Sequence, residues 1–120
     1  MTIVGISRMV HNALDAADQL AAEGIEAEVV DPRTLSPLDT DTILASVDKT
    51  HRLVVVDEDN PLCSVAATIA AVVADEGFDS LDAPIKCVTA PHSPVPFSPP
   101  LEQAYIPSPD RIADAVREIA

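Results

Sequence analysis

Leu53-Val54-Val55-Val56 is an unbroken apolar run bounded by Arg52 and Asp57. In a strand successive side chains point to opposite faces, so a run without polar alternation needs apolar cover on both sides. Parallel sheets clothed by helices on both faces provide that cover. Thr2 to Ile6 and Ala27 to Val30 read as two further strands, and Ile85 to Val88, after Ala83-Pro84, as a fourth.

Between these runs the period changes from two to about 3.6. Met9, Val10, Ala13, Leu14, Ala17, Leu20 and Ala21 make one apolar stripe, with Asn12, Asp15, Asp18 and Glu23 toward water, Ser7 as cap and Gly24 as stop. A second helix opens at Pro37 or Asp39 and runs through Ile43, Leu44 and Val47. Cys63 to Val73 is alanine-rich and apolar around most of its circumference, which predicts a largely buried helix. Ser108-Pro109-Asp110 is a cap followed by proline at the first helical position; Ile112, Ala113, Val116 and Ile119 form the inner stripe of that last helix. Strands alternating with helices predict a three-layer α/β/α sandwich, one domain over residues 1–120.

Charge narrows the partners. Seven Lys and Arg against 20 Asp and Glu give a net charge of −13. Nucleic acid and anionic membranes both repel such a surface, whereas a basic protein partner is attracted. The longest apolar run, Val65 to Ala74, is too short to span a bilayer. No signal peptide opens the chain, and Cys63 and Cys87 form no CxxC pair, so a reducing cytoplasm is expected. Strand-like residues directly after Met1 give the chain the look of a piece cut from something longer.

Candidate chemistry is sparse. With three glycines and no GxGxxG or GxxxxGK[ST], a backbone cradle for phosphate has almost nowhere to form. Cys63 is distant in sequence from His11, His51 and His92, any of which it would need as a base, and Cys87 inside a strand reads as core or packing. Asp57-Glu58-Asp59 reads as a solvated loop rather than a Mg²⁺ site, because consecutive carboxylates point apart. Arg8 and Arg33 stand at strand ends, where they can clamp a carboxylate, although pairing with the abundant acids or with a neighbouring domain is the preferred reading. No catalytic, cofactor-binding or metal-ligating residue is therefore assigned.

The proline segment is the most unusual feature. Seven of the 11 prolines fall between Pro91 and Pro109, which precludes any long regular element there. A stiff, extended stretch with apolar Val95, Phe97 and Tyr105 loses little chain entropy on lying against another protein. Pro94, Val95, Pro96, Phe97 and Tyr105 are accordingly the expected interface residues.

Taken in order, several stretches resemble one family. These are Ser7-Arg8-Met9-Val10-His11, Asp31-Pro32-Arg33-Thr34-Leu35-Ser36-Pro37-Leu38-Asp39, Leu53-Val54-Val55-Val56-Asp57-Glu58, Thr89-Ala90-Pro91-His92-Ser93-Pro94-Val95-Pro96-Phe97-Ser98-Pro99 and Leu101-Glu102-Gln103-Ala104-Tyr105-Ile106-Pro107. They resemble the C-terminal, transketolase-like domain of the β subunit of thiamine-diphosphate-dependent 2-oxoacid dehydrogenases. Asn60-Pro61-Leu62-Cys63-Ser64, and His92 where many relatives have Asp, are more similar to the acetoin than to the pyruvate or branched-chain branch.

The resemblance implies a mostly parallel five-stranded sheet with one antiparallel strand. It implies a subunit-assembly domain in an α2β2 enzyme that passes an acyl unit to lipoamide, inactive by itself, with thiamine diphosphate and Mg²⁺ held by other parts of that enzyme. It also implies docking of a lipoyl acyltransferase core near the C-terminus, for which Asp110, Asp114 and Glu118 are the candidates. The matching domain of a transketolase or deoxyxylulose-phosphate synthase, and a free-standing α/β regulatory module, are the alternative readings.

Overall fold

In the computed structural model, which describes residues 1–120, the chain runs β1 (Thr2–Gly5), α1 (Met9–Ala22), β2 (Glu28–Val30), α2 (Thr40–Thr50) and β3 (Leu53–Val56). It continues through α3 (Val65–Glu76), a 3₁₀ turn (Phe78–Ser80), β4 (Lys86–Val88), α4 (Pro99–Tyr105) and α5 (Pro109–Arg117). The sheet order is β2-β1-β3-β4, and every pairing is parallel.

The sheet therefore has four strands instead of five, and none is antiparallel. The single antiparallel pairing is an isolated bridge between Leu35 and Leu38, outside the sheet. Beyond β4 the proline-rich stretch forms no strand; each proline there lacks the amide donor that a ladder requires.

Alternation along the buried strands feeds two separate cores. Ile3, Val54, Val56 and Val88 face α1 and α5, meeting Met9, Ala13, Ala16, Leu20, Ile112, Ala113, Val116 and Ile119. Val4, Leu53 and Val55 face α2 and α3, meeting Ile43, Val47, Ala66, Ile69 and Val73. Both faces of β3 are thus covered, as its unbroken apolar run requires.

Helix ends follow local chemistry. Asp39 caps α2, its carboxylate accepting from Thr42 N at 3.1 Å and Thr42 Oγ1 at 2.7 Å. Ser108 caps α5 through Arg111 N, with Pro109 next. Ser64, immediately after Cys63, caps α3, so that helix begins later than its composition suggests. Ser7 does not cap α1; it adopts φ 54°, and Arg8 occupies the cap position without a side-chain bond. Gly5 lets that turn close tightly: a Cβ there would lie 2.9 Å from the Val10 Cα and N.

Two helical faces differ from their sequence reading. The buried stripe of α1 is Met9, Ala13, Ala16 and Leu20, whereas Leu14 is 48% exposed and Asn12 turns inward to donate to Pro107 O at 2.7 Å. On α3 only Ala66, Ile69 and Val73 are buried, and Ala67, Ala71 and Ala74 lie bare. The helix is apolar all round but has neighbours on one side alone. Periodicity identifies a helix; it does not supply the second neighbour.

A candidate assembly surface

The loops at the carboxyl ends of β3 and β4 are built around Asp57. Instead of lying in a solvated loop, Asp57 is buried, with 4% of its surface exposed. One carboxylate oxygen accepts from Asp59 N at 3.1 Å and the other from Ala66 N at 3.3 Å, in the first turn of α3. A charge is tolerated there because backbone amides at a helix start satisfy it. Asp59 O in turn accepts from Ala90 N at 3.1 Å, which fixes the exit of β4 against this loop. Glu58 is half-buried and Asp59 exposed, and no three potential metal ligands converge anywhere in the chain.

From Ala90 the proline segment is anchored repeatedly. Arg111 Nη2 donates to Thr89 O at 3.0 Å, Tyr105 Oη donates to Ser93 O at 3.3 Å, and Asn12 holds Pro107. Tyr105 is buried, so its expected exposure is corrected: the ring packs into the domain and the hydroxyl carries the segment. Between these anchors Val95 is 72% exposed and Phe97 is fully exposed; Pro94 is exposed and Pro96 half-buried. Leu101, in the first turn of α4, is also an exposed large apolar side chain. An open cleft of about 380 Å³ separates the segment from Asp59 and Asn60, with His92, Val95 and Tyr105 on its other wall.

The remaining candidates are scattered. Asp110 and Asp114 on α5, and Glu118 just past its end, are exposed and already have partners within the domain. Asp110 accepts from Gln19 Nε2 at 3.3 Å, Asp114 from Arg117 Nη1 at 2.6 Å, and Glu118 from Lys86 Nζ at 2.6 Å. Arg117 also grips Glu23 at 2.6 Å, closing α5 onto the end of α1. That contact holds the Glu23 carboxyl below its usual range. Exposed pairs of this kind add little stability each.

Arg33 pairs with Asp31 at 2.8 Å beside an opening of about 480 Å³ at the ends of β1 and β2, and Arg8 is exposed nearby. Cys63 is exposed in a left-handed turn, φ 56°. Cys87 is not core: it sits exposed on the edge strand, its Sγ leaning to 3.8 Å from Ala66 O. Partial burial of the sulfur, and secondarily the Asp57 charge, push that thiol above its ordinary range. No helix is long and apolar enough to cross a membrane.

Comparison with known proteins agrees over the whole chain. Residues 1–112 match the family model "Transketolase, C-terminal domain". The chain is 58% identical over 119 residues to acetoin:2,6-dichlorophenolindophenol oxidoreductase subunit beta of Bacillus subtilis (strain 168), covering 99% of this chain and 35% of that protein. It is 47% identical over 119 residues to pyruvate dehydrogenase E1 component subunit beta of Rickettsia felis, covering 99% and 36%. Among solved structures, a split gene transketolase, described as an inactive beta4 tetramer, superposes with a TM-score of 0.82 at 29% identity, covering 98% of this chain and 37% of the other. The chain thus spans about a third of the length of these relatives. By sequence pattern and fold alike, it belongs to the transketolase C-terminal domain family.

Proposed function

We propose that this chain is the subunit-assembly and partner-docking domain of the β subunit of a thiamine-diphosphate-dependent dehydrogenase acting on acetoin or a 2-oxoacid. The carrying observation is Phe97, fully exposed on a proline segment tied down at Ser93 and Pro107. An apolar anchor on a pre-ordered strap binds without a large ordering cost, which suits a subunit interface. Val95, Pro94, Pro96 and Leu101 complete the contact, with Tyr105 as its internal support. Greater identity to acetoin than to pyruvate relatives favours the acetoin branch.

The family relatives' whole activity needs a cofactor, and the donor set here does not fit thiamine diphosphate with Mg²⁺. The buried carboxylate, Asp57, is committed to two backbone amides, and no ligand cluster stands beside it. No chemical step is assigned to this chain. Bond cleavage and acyl transfer to lipoamide fall to the rest of a longer β subunit and to an α subunit, in an α2β2 assembly. The exposed acids of α5, Asp110 foremost, offer a basic lipoyl acyltransferase core its contact. The working compartment is a reducing cytoplasm, in keeping with two free cysteines.

Phe97→Ala in the complete β subunit tests this reading. Sedimentation velocity should show α–β association weakened by about tenfold or more, while the midpoint of thermal unfolding of the domain hardly moves. Equal loss of folding and association counts against an interface. The 120-residue chain alone, given thiamine diphosphate, Mg²⁺, substrate and an artificial acceptor, should show no turnover.

A further inference from the structure

We infer that the opening at the carboxyl ends of β1 and β2 is a binding site for a small organic anion, one that carries a hydroxyl group beside its carboxylate or phosphate. The two strands are parallel neighbours, Val4 opposite Val30, so the loops that follow them leave the sheet side by side. Between those loops lies a cavity of about 480 Å³, a volume suited to a small molecule. In open α/β sheets ligands bind outside the carboxyl ends of the strands. Val10 and Leu35 supply apolar wall here, and Ser7, His11, Asp31 and Arg33 bring polar groups to it. Ser7 holds a left-handed φ of 54°, a conformation that a residue other than glycine keeps only where its surroundings impose it.

The inventory of charges selects the ligand. In a chain of net charge −13, four of the seven Lys and Arg, namely Arg33, Lys49, Lys86 and Arg117, are paired with acids. Arg111 is committed to Thr89 O, and Arg52 is half-buried. Arg8 is the exposed cation that pairs with no acid, and it adjoins Ser7 at the mouth of the cavity. Arg33 binds Asp31 through one nitrogen while 85% of its side chain stays exposed, so the rest of its fork is free for an anion. Asp31 repels a bare anion but welcomes a hydroxyl: Oδ2 accepts from Arg33, and Oδ1 is left to accept from the ligand. An anionic head toward Arg8, Arg33 and His11, with a hydroxyl toward Asp31, matches these groups one for one.

Titration of the ¹⁵N-labelled 120-residue chain with L-lactate, glycerol 3-phosphate, acetate and inorganic phosphate tests this. Amide shifts with one or both of the first two should saturate below about 10 mM and concentrate at Ser7 to His11 and Asp31 to Leu35. Whichever of them binds more tightly identifies a carboxylate or a phosphate as the head group. Acetate and inorganic phosphate, which have no carbon-borne hydroxyl, should bind more weakly than their hydroxylated counterparts by about fivefold or more. Arg8→Gln, at an exposed position, should weaken binding about tenfold and leave the thermal midpoint unchanged. Asp31→Asn should erase the preference for the hydroxylated probe, which a merely structural role for Asp31 would not do. No saturation with either hydroxylated probe, shifts centred on other loops, plain anions binding as tightly, or unchanged affinity in Arg8→Gln would each overturn the inference.

Discussion

The Tyr105 hydroxyl donates to the Ser93 carbonyl across 3.3 Å and twelve residues of sequence, and so braces the segment that displays Val95 and Phe97. Tyr105→Phe keeps the buried ring and removes only that bond. Stability should fall by about 1 kcal/mol, with faster amide exchange confined to the residues around Ser93. Tyr105→Ala also empties the ring's site and should cost about 3 kcal/mol. A Phe variant indistinguishable from the parent in both measurements would remove Tyr105 as the brace.

Asp57 should matter to stability far more than its acidic neighbours. Asp57→Asn weakens the acceptance of the Ala66 and Asp59 amides and should lower urea-unfolding stability by about 2 kcal/mol. Asp59→Asn, at an exposed site, should stay within about 0.5 kcal/mol. The same Asp57→Asn change relieves one of the two causes that hold the Cys87 thiol un-ionised. Iodoacetamide labelling followed by mass spectrometry should therefore show Cys87 reacting faster in the variant.

Acid should destabilise the fold through three depressed carboxyls. Arg117 holds Glu23 below its ordinary 4.5, Lys49 and then Ser46 hold Glu28 below 4.5, and Thr42 holds Asp39 below 3.8. A carboxyl whose folded pKa lies below its unfolded one favours the native state while ionised. That contribution is complete above the unfolded value and disappears as pH falls through the folded one. Thermal midpoints should thus be level at neutral pH and decline on the acid side of about 4.5. Arg117→Gln should make that acid limb shallower by removing the Glu23 share; an unchanged limb would contradict the assignment.

Gly5→Ala adds the smallest possible side chain where the least room exists. Its Cβ would meet Val10 backbone at 2.9 Å, so either β1 or α1 has to shift. A loss of about 1–3 kcal/mol or more is expected, read by denaturant unfolding. Gly24→Ala provides the contrast: nothing lies within 4 Å of its Cβ, and its cost comes from φ +83° alone.

How far the sequence is legible depends on whether a residue's fate is set by its own segment. Leu53 to Val56 and the Ser108-Pro109 helix start are local chemistry, and each reads correctly from the chain; the start of α2, open between Pro37 and Asp39 in the sequence, falls to Asp39 as its cap. The proline run is legible as an irregular strap for the same reason. Asp57 is not, because its burial depends on Ala66 arriving nine residues later with an unpaired amide. Tyr105 is drawn inward by Ser93 and by packing that no periodicity encodes. Leu14 and the outer alanines of α3 are exposed because nothing in this chain covers them, although their spacing suits burial. Strand number fails similarly: the count came from family likeness, whereas the four apolar runs themselves match the four strands.

The partition of the strands between two cores has a corollary. Val54 and Val56 belong to the α1–α5 side, while Leu53 and Val55 belong to the α2–α3 side. Substitutions on opposite sides share no packing partners, so their effects should be nearly independent, whereas those within one side should couple. Either outer layer can accordingly be remodelled where it meets a new neighbour while the other stays untouched.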